Sequence, residues 1–329
     1  MQTFKSFEQV LYTVNDSNFE DIALRVFYEQ ATGNKVYRDF IGFLGIEPAS
    51  IDKVEKIPFL PISFFKSHLV TTGDWPFPEM VFTSSGTSGS IPSRHVVPQI
   101  SFYLENVKRN FELFYGSLSQ YHILALLPAY LDREGSSLTT MVNYFINESQ
   151  SEHAGFYLHN YDTLLSKVQM LKSENKKVLL LGVSFALLEL AEKFEIDLRH
   201  CLIMETGGMK GRRKELIREE LHQILQRRFH IRTIHSEYGM TELMSQAYSA
   251  SNGLYKTPPW MKIAIRDLND PFTRVQTGRT GGINVIDLAN LHSCAFIETQ
   301  DLGKVGQNGS FEILGRFDNS DIRGCNLLV

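Results

Sequence analysis

Between residues 121 and 235 the chain repeats one rhythm: a short apolar run, a turn of small residues, then a stretch with helical spacing. Tyr121 to Leu127, stopped by Pro128, is the first run; Lys177 to Val183, Leu202 to Glu205 and Ile231 to His235 follow. Runs this short, apolar at consecutive positions, are what parallel strands buried on both faces look like. The intervening stretches fit the helices that cover such strands. Ile217, Leu221, Ile224 and Leu225 recur at i, i+4, i+7 and i+8, one helix face. Val178 to Ala191 reads as a buried strand turning into a helix. The expected class is α/β, with mixed, largely parallel sheets.

Either side of this region the rhythm changes. The first 60 residues read as helical, with apolar residues at helical spacing around Phe19 to Tyr37, until Ile57-Pro58-Phe59-Leu60-Pro61 breaks the pattern. Gly281 to Leu288 and Ser310 to Leu314 alternate between Gly-rich turns and predict a smaller, partly antiparallel β section. The expected division is an α/β part over 1–278 and a β-rich section with a short tail over 279–329.

Composition excludes several classes. A formal charge of −4 gives no electrostatic reason to expect nucleic acid or an anionic membrane, so any bound anion needs a local site. Cys201, Cys294 and Cys325 lie far apart, without the spacing of a disulfide framework or a zinc site. The N-terminus lacks an apolar signal core. Val178 to Ala191 is the most apolar run; it falls short of the roughly 20 residues a membrane helix needs and contains Glu189. A cytoplasmic protein without a membrane span or nucleic-acid partner is expected.

In open α/β sheets ligands lie beyond the carboxyl ends of the strands, so the telling residues should follow the apolar runs. After Met80 to Phe82 comes Thr83-Ser84-Ser85-Gly86-Thr87-Ser88-Gly89-Ser90, where hydroxyls and backbone N–H groups can converge on a phosphate. It lacks the lysine of the Gly-x-x-x-x-Gly-Lys loop, and a flexible polar surface loop is the competing reading. Tyr238-Gly239-Met240-Thr241-Glu242 offers a ring for a flat base and a carboxylate for Mg²⁺, or else a helix start with Thr241 as cap and Glu242 in the first turn. Asp301 reads as a carboxylate for ribose hydroxyls and Arg316 as a donor fork, or both as surface charges. Thr206-Gly207-Gly208 leaves bare backbone against which an adenine can lie, and Lys210, Arg212, Arg213 and Lys214 follow, which read also as a solvated basic face.

Taken in order, these segments resemble the adenylate-forming superfamily of acyl-CoA synthetases, peptide-synthetase adenylation domains and luciferases. Ile57 to Pro61, Phe64-Phe65-Lys66 and the ending Arg323-Gly324-Cys325 resemble its acyl-protein synthetase branch, which serves the fatty-acid reductase system of bacterial bioluminescence. The resemblance implies ATP and Mg²⁺ as cofactors and activation of a carboxylic acid, a fatty acid in that branch, as acyl-AMP before transfer to a thiol. It implies that Ser84, Ser85, Gly86, Thr87, Ser88 and Gly89 grip the β- and γ-phosphates. Thr241 and Glu242 would meet the α-phosphate and Mg²⁺. Gly207, Gly208 and Tyr238 would line the adenine and acyl pocket, Gly239 and Met240 would belong to the nucleotide site, and Asp301 with Arg316 would hold the ribose.

Two departures follow from the same resemblance. The basic residue expected soon after the loop's proline is Arg94, two positions beyond Pro92. Only 13 residues follow Arg316, so the mobile C-terminal lid domain and its lysine are expected to be missing, leaving adenylation slow or dependent on Lys210, another internal base or a partner subunit. Cys325 is the expected acyl acceptor, and an acyl reductase or a carrier protein the expected partner; Cys201 and Cys294 read as core residues. A phenylacetate-type aryl-acid:CoA ligase and a non-catalytic nucleotide- or acyl-binding subunit of a reductase complex are the rival readings.

Overall fold

The computed structural model describes residues 2–84, 91–127, 135–157, 160–207 and 216–317. Helices α1 (Gln2–Leu11), α2 (Phe19–Gly33) and α3 (Lys35–Phe43) open the chain. Phe19, Ile22, Ala23, Val26 and Phe27 bury one face of α2, and Glu20 and Asp21 sit in its first turn, where the helix dipole favours negative charge. The Asn34 side chain caps α3 by accepting from the Tyr37 N–H at 3.0 Å. The Pro-rich passage interrupts the helices as expected, yet Leu60–Pro61 forms a short strand, β1, before α4 (Phe64–Ser67). Next, β2 (Met80–Thr83) and β3 (Arg94–Val97) pair antiparallel around the Ser/Gly-rich loop.

The alternating region follows: α5 (Ile100–Tyr115), β4 (Tyr121–Leu126), α6 (Ser137–Glu148), β5 (Gly155–Phe156), α7 (Tyr161–Leu171), β6 (Lys177–Val183), α8 (Ser184–Lys193), β7 (Cys201–Thr206), α9 (Arg218–Phe229) and β8 (His235–Tyr238). Strands β4 to β8 pair in parallel. β9 (Ala247–Ser249), β10 (Tyr255–Lys256), β11 (Met261–Arg266), β12 (Gly281–Asp287), β13 (Phe296–Val305) and β14 (Phe311–Arg316) complete the chain of strands. Among the described residues one mixed sheet runs β11-β12-β13-β14-β10-β9-β8-β7-β6-β4-β5, with β1 beside β13. The strands from β9 onward pair antiparallel along this path and continue the sheet that holds the parallel ones.

Three local expectations need correction. The run Ile231 to His235 is not the strand: His230, left-handed at φ 52°, ends α9, and the chain crosses over until His235 begins β8. Ile217 is off the helix face, since α9 starts one residue later and leaves Ile217 exposed. β12 does not alternate: every one of its residues is buried, so both faces are covered, while β11 and β13 pair with its two edges.

Candidate active site

The hairpin β2–β3 sets the root of the serine-rich loop. Ser84 N–H donates to the Ser93 carbonyl at 3.1 Å, and Ser93 N–H donates back to Ser84 Oγ at 2.8 Å. Arg94 is exposed and pairs in register with Thr83 at the same root. Ser85, Gly86, Thr87, Ser88 and Gly89 lie outside the described residues, as do Gly208, Lys210, Arg212, Arg213, Lys214 and Cys325.

The Ser93 hydroxyl donates to the Glu242 carboxylate, which is buried. Burial raises the pKa of Glu242; this hydrogen bond and the positive charges of Arg316 and Lys66 oppose the rise. The loop root and the end of the Tyr238–Glu242 pentapeptide are therefore in contact. No helix starts at Thr241: the segment is a turn, closed by Leu243 N–H donating to the Met240 carbonyl at 3.1 Å. That outcome excludes the capped-helix alternative.

Tertiary contacts hold the pentapeptide in place. His95 Nδ1 lies 2.8 Å from the Thr241 carbonyl and His95 Nε2 lies 3.0 Å from Asn290 Oδ1. Asn290 Nδ2 in turn donates to the Glu242 carbonyl at 2.7 Å. Gln30 of α2, fully buried, donates to the Asn290 carbonyl at 2.9 Å, so the helical N-terminal part braces this contact. Just downstream, buried Asp287 accepts from the N–H groups of Met244 and Ser245, each at 2.9 Å, and from the Ser245 hydroxyl at 2.7 Å.

At the other end of the pentapeptide, Tyr238 is the last residue of β8 rather than the first beyond it. Its ring is buried against Tyr255 and Phe311, and its hydroxyl donates to Asp301 Oδ2 at 2.7 Å. The register of β13 with β14 brings Asp301 opposite Arg316, whose Nε lies 3.0 Å from Asp301 Oδ1. Asp301 is buried, whereas the Arg316 side chain is 68% exposed and so faces outward from the pair. Both residues are strand residues, not turn charges. Arg266 supports this edge from behind, donating to the Thr299 carbonyl at 2.7 Å and Asn284 Oδ1 at 2.8 Å. A Cβ on Gly282 would stand 2.4 Å from that guanidinium and would push it off these partners.

Gly207 follows β7 with φ +65°, and its carbonyl accepts from the Ser184 hydroxyl at 3.1 Å. Beside it, the Thr206 hydroxyl donates to buried Glu237, and burial together with the charge of Glu205 raises the pKa of Glu237 to about 7. Glu205 itself lies on the opposite face, where contacts with His222, Arg218 and Ser184 outweigh burial and lower its pKa. Cys294 is fully buried and burial pushes its thiol up to about 12; Cys201, partly buried, reaches about 12 for the same reason. Neither thiol is poised to act as a thiolate.

The structure thus brings Ser84, Tyr238 to Glu242, Asp301 and Arg316 into one connected set, with Gly207 at the neighbouring strand end. Lys66, Ser93, His95, Glu237, Asp287 and Asn290 escaped sequence reasoning. Glu237 had a signal, its place directly before the pentapeptide; Ser93 lies directly before Arg94, and Lys66 ends a segment read for its resemblance alone, whereas His95, Asp287 and Asn290 carry none.

This mixed sheet, flanked by helices and with its polar groups gathered at the strand ends, is the fold of the large N-terminal domain of adenylating ligases. No protein-family model matches the chain. Among curated proteins it is 25% identical over 319 residues to the long-chain-fatty-acid–luciferin-component ligase of Vibrio harveyi, covering 89% of this chain and 82% of that one. 2-Hydroxyisobutyryl-CoA ligase, in its postadenylation state with 2-HIB-AMP, superposes with a TM-score of 0.67 at 12% identity, over 91% of this chain and 67% of that one. ATP-bound MatB from Rhodopseudomonas palustris superposes with a TM-score of 0.54 at 16% identity, over 72% of this chain and 47% of that one. The match thus spans about half of the MatB chain. What the chain is similar to is what its motifs resemble: ligases that carry the adenylating fold. Among the described residues no helix is long and apolar enough to cross a membrane.

Proposed function

We propose that the chain activates a carboxylic acid, a fatty acid in the first instance, as its acyl-AMP and passes the acyl group to a thiol. A carboxylate oxygen attacks the α-phosphorus of ATP, a new C(O)O–P bond forms, and the Pα–O bond to pyrophosphate breaks. A thiolate then attacks the acyl carbon and AMP leaves. The acceptor is Cys325, coenzyme A or a carrier protein, and an acyl reductase is the partner that would consume the product.

The observation that carries this reading is the contact between the root of the serine-rich loop and Glu242, with Tyr238, Asp301 and Arg316 at the other end of the same pentapeptide. A triphosphate held at Ser84 to Gly89 would pass Thr241 on its way to a ribose at Asp301. The guanidinium of Arg316, largely exposed, would reach a sugar or phosphate oxygen. Arg94, at the loop root, would add positive charge to the phosphates. Catalysis of this kind rests on positioning and on neutralising charge.

Mg²⁺ fits the donors present. Among the described residues no three His, Cys, Asp or Glu side chains gather as a metal site. Glu242 is a single hard carboxylate at the loop root, and Mg²⁺ takes one or two carboxylates with phosphate oxygens and water. When bound there, the ion would withdraw charge from the phosphate oxygens.

The test is ATP–pyrophosphate exchange with folded protein and Mg²⁺ across medium- and long-chain fatty acids and phenylacetate. Exchange that depends on a fatty acid supports the proposal. Dependence on phenylacetate alone assigns the aryl-acid ligase instead, and ATP binding without exchange under any acid leaves a binding subunit. For the thiol step, a hydroxylamine-labile acyl adduct should vanish in Cys325→Ser; its survival removes Cys325 from the mechanism.

A further inference from the structure

One face of the sheet, beside the pentapeptide, carries polar groups that the proposed nucleotide site does not use. Thr206, Glu237 and Tyr248 stand directly opposite one another across β7, β8 and β9, and all three are buried. Along β8 side chains alternate. Ser236 reaches His222 and Tyr238 reaches Asp301 on one face, so Glu237 points to the other, where His235 meets Tyr115 of α5. That face lies under α5.

From α5, Asn106 and Asn110 spend their amide N–H groups on the backbone carbonyls of Met244 and Gln246, each at 2.8 Å. The Oδ1 atoms of both asparagines and the hydroxyl of Tyr248 are buried with no hydrogen-bond partner among the described residues. A Cβ on Gly239 would stand 2.5 Å from Glu237 Oε1 and 3.3 Å from Gln246 Cγ, so glycine keeps the carboxyl and the glutamine from being wedged apart. With its pKa near 7, Glu237 can present a proton as well as accept one.

Unpaired buried acceptors and donors are costly, and an unsubstituted alkyl chain laid beside them leaves them unpaired. A hydroxyl supplies one donor, enough for one of the two asparagine oxygens, and two acceptor lone pairs, which the Tyr248 hydroxyl and a protonated Glu237 can fill. We propose that the band formed by Thr206, Glu237, Tyr248, Asn106 and Asn110 seats a hydroxyl on the acid, making the substrate class a hydroxylated carboxylic acid. This rests on the adenylating reading and narrows it.

The experiment compares ATP–pyrophosphate exchange by the full chain with dodecanoic acid and with its 2-hydroxy and 3-hydroxy derivatives. One hydroxy acid should exceed dodecanoic acid in kcat/KM by at least about 100-fold, as expected of a site built to hydrogen-bond a substrate hydroxyl. Glu237→Leu should bring that ratio close to 1, and Glu237→Gln, which keeps an acceptor for Thr206, should lower it in part and serves if the leucine variant does not fold. Equal kcat/KM for the three acids in the unaltered chain overturns the inference while leaving the adenylating function standing, with water as the band's occupant. A ratio that persists in both variants overturns the role of Glu237. Exchange with none of the acids overturns the function and the inference together.

Discussion

Glu237→Gln should change how the protein's stability depends on pH. The carboxyl is buried between Thr206 and Tyr248, and its pKa rises from the ordinary 4.5 to about 7, chiefly through burial, with a contribution from the charge of Glu205. A carboxyl of raised pKa binds its proton more tightly in the folded chain than in the unfolded one. Its contribution to stability is therefore complete below about pH 4.5 and is lost as pH rises toward 7, above which the loss is constant. The gap between 4.5 and about 7 corresponds to about 3 kcal/mol. Glutamine keeps the acceptor for the Thr206 hydroxyl and cannot ionise. Urea unfolding of both proteins from pH 4.5 to 8 checks this: the variant's stability relative to the unaltered chain should climb by about 3 kcal/mol across that window. Parallel pH profiles would refute the reasoning, because they would mean that the Glu237 carboxyl is hydrated or already ionised in the folded chain.

Other substitutions separate chemistry from scaffolding. Glu242→Gln should lower acid-dependent exchange by at least about 100-fold while changing the urea midpoint little, since the amide still accepts from Ser93. His95→Phe removes the ring nitrogens that meet the Thr241 carbonyl and Asn290 Oδ1, leaving one of these acceptors without its N–H donor, and should cost about 1–3 kcal/mol in urea unfolding together with a loss of exchange. Asp287→Ala leaves the Met244 and Ser245 donors unpaired in the core, so a loss of about 3–5 kcal/mol is expected from the same measurement. Asp301→Ala should raise the KM for ATP in the exchange assay, because it removes the carboxylate that Tyr238 and Arg316 hold; an unchanged KM would detach this pair from the nucleotide.

Much of the α/β core is local information. Lys177 to Val183 is a strand over the very residues its apolar run marks, and Tyr121 to Leu126 and Cys201 to Thr206 differ from their runs by a residue or two. Unbroken apolar residues between turn signals leave a chain few other ways to exclude water. The order of the serine-rich loop, the pentapeptide and the late Asp301 and Arg316 is likewise written in the chain.

Tertiary structure decided the rest. The strand that runs into the pentapeptide is His-Ser-Glu-Tyr, not the more apolar Ile231 to His235, because Ser236 and Glu237 find partners on α9 and β7 that no local pattern announces. His95 meets Thr241 across 146 positions and Asn290 across 195, contacts that exist only once the hairpin packs against the sheet. Asp301 and Arg316 become a pair through the register of two antiparallel strands, and Tyr238 joins them because β8 ends where it does. Residue type and order specify what the strands can be, since burial of apolar side chains acts over a few residues. Which carboxylates become buried, paired or protonated depends on neighbours that only the folded chain supplies.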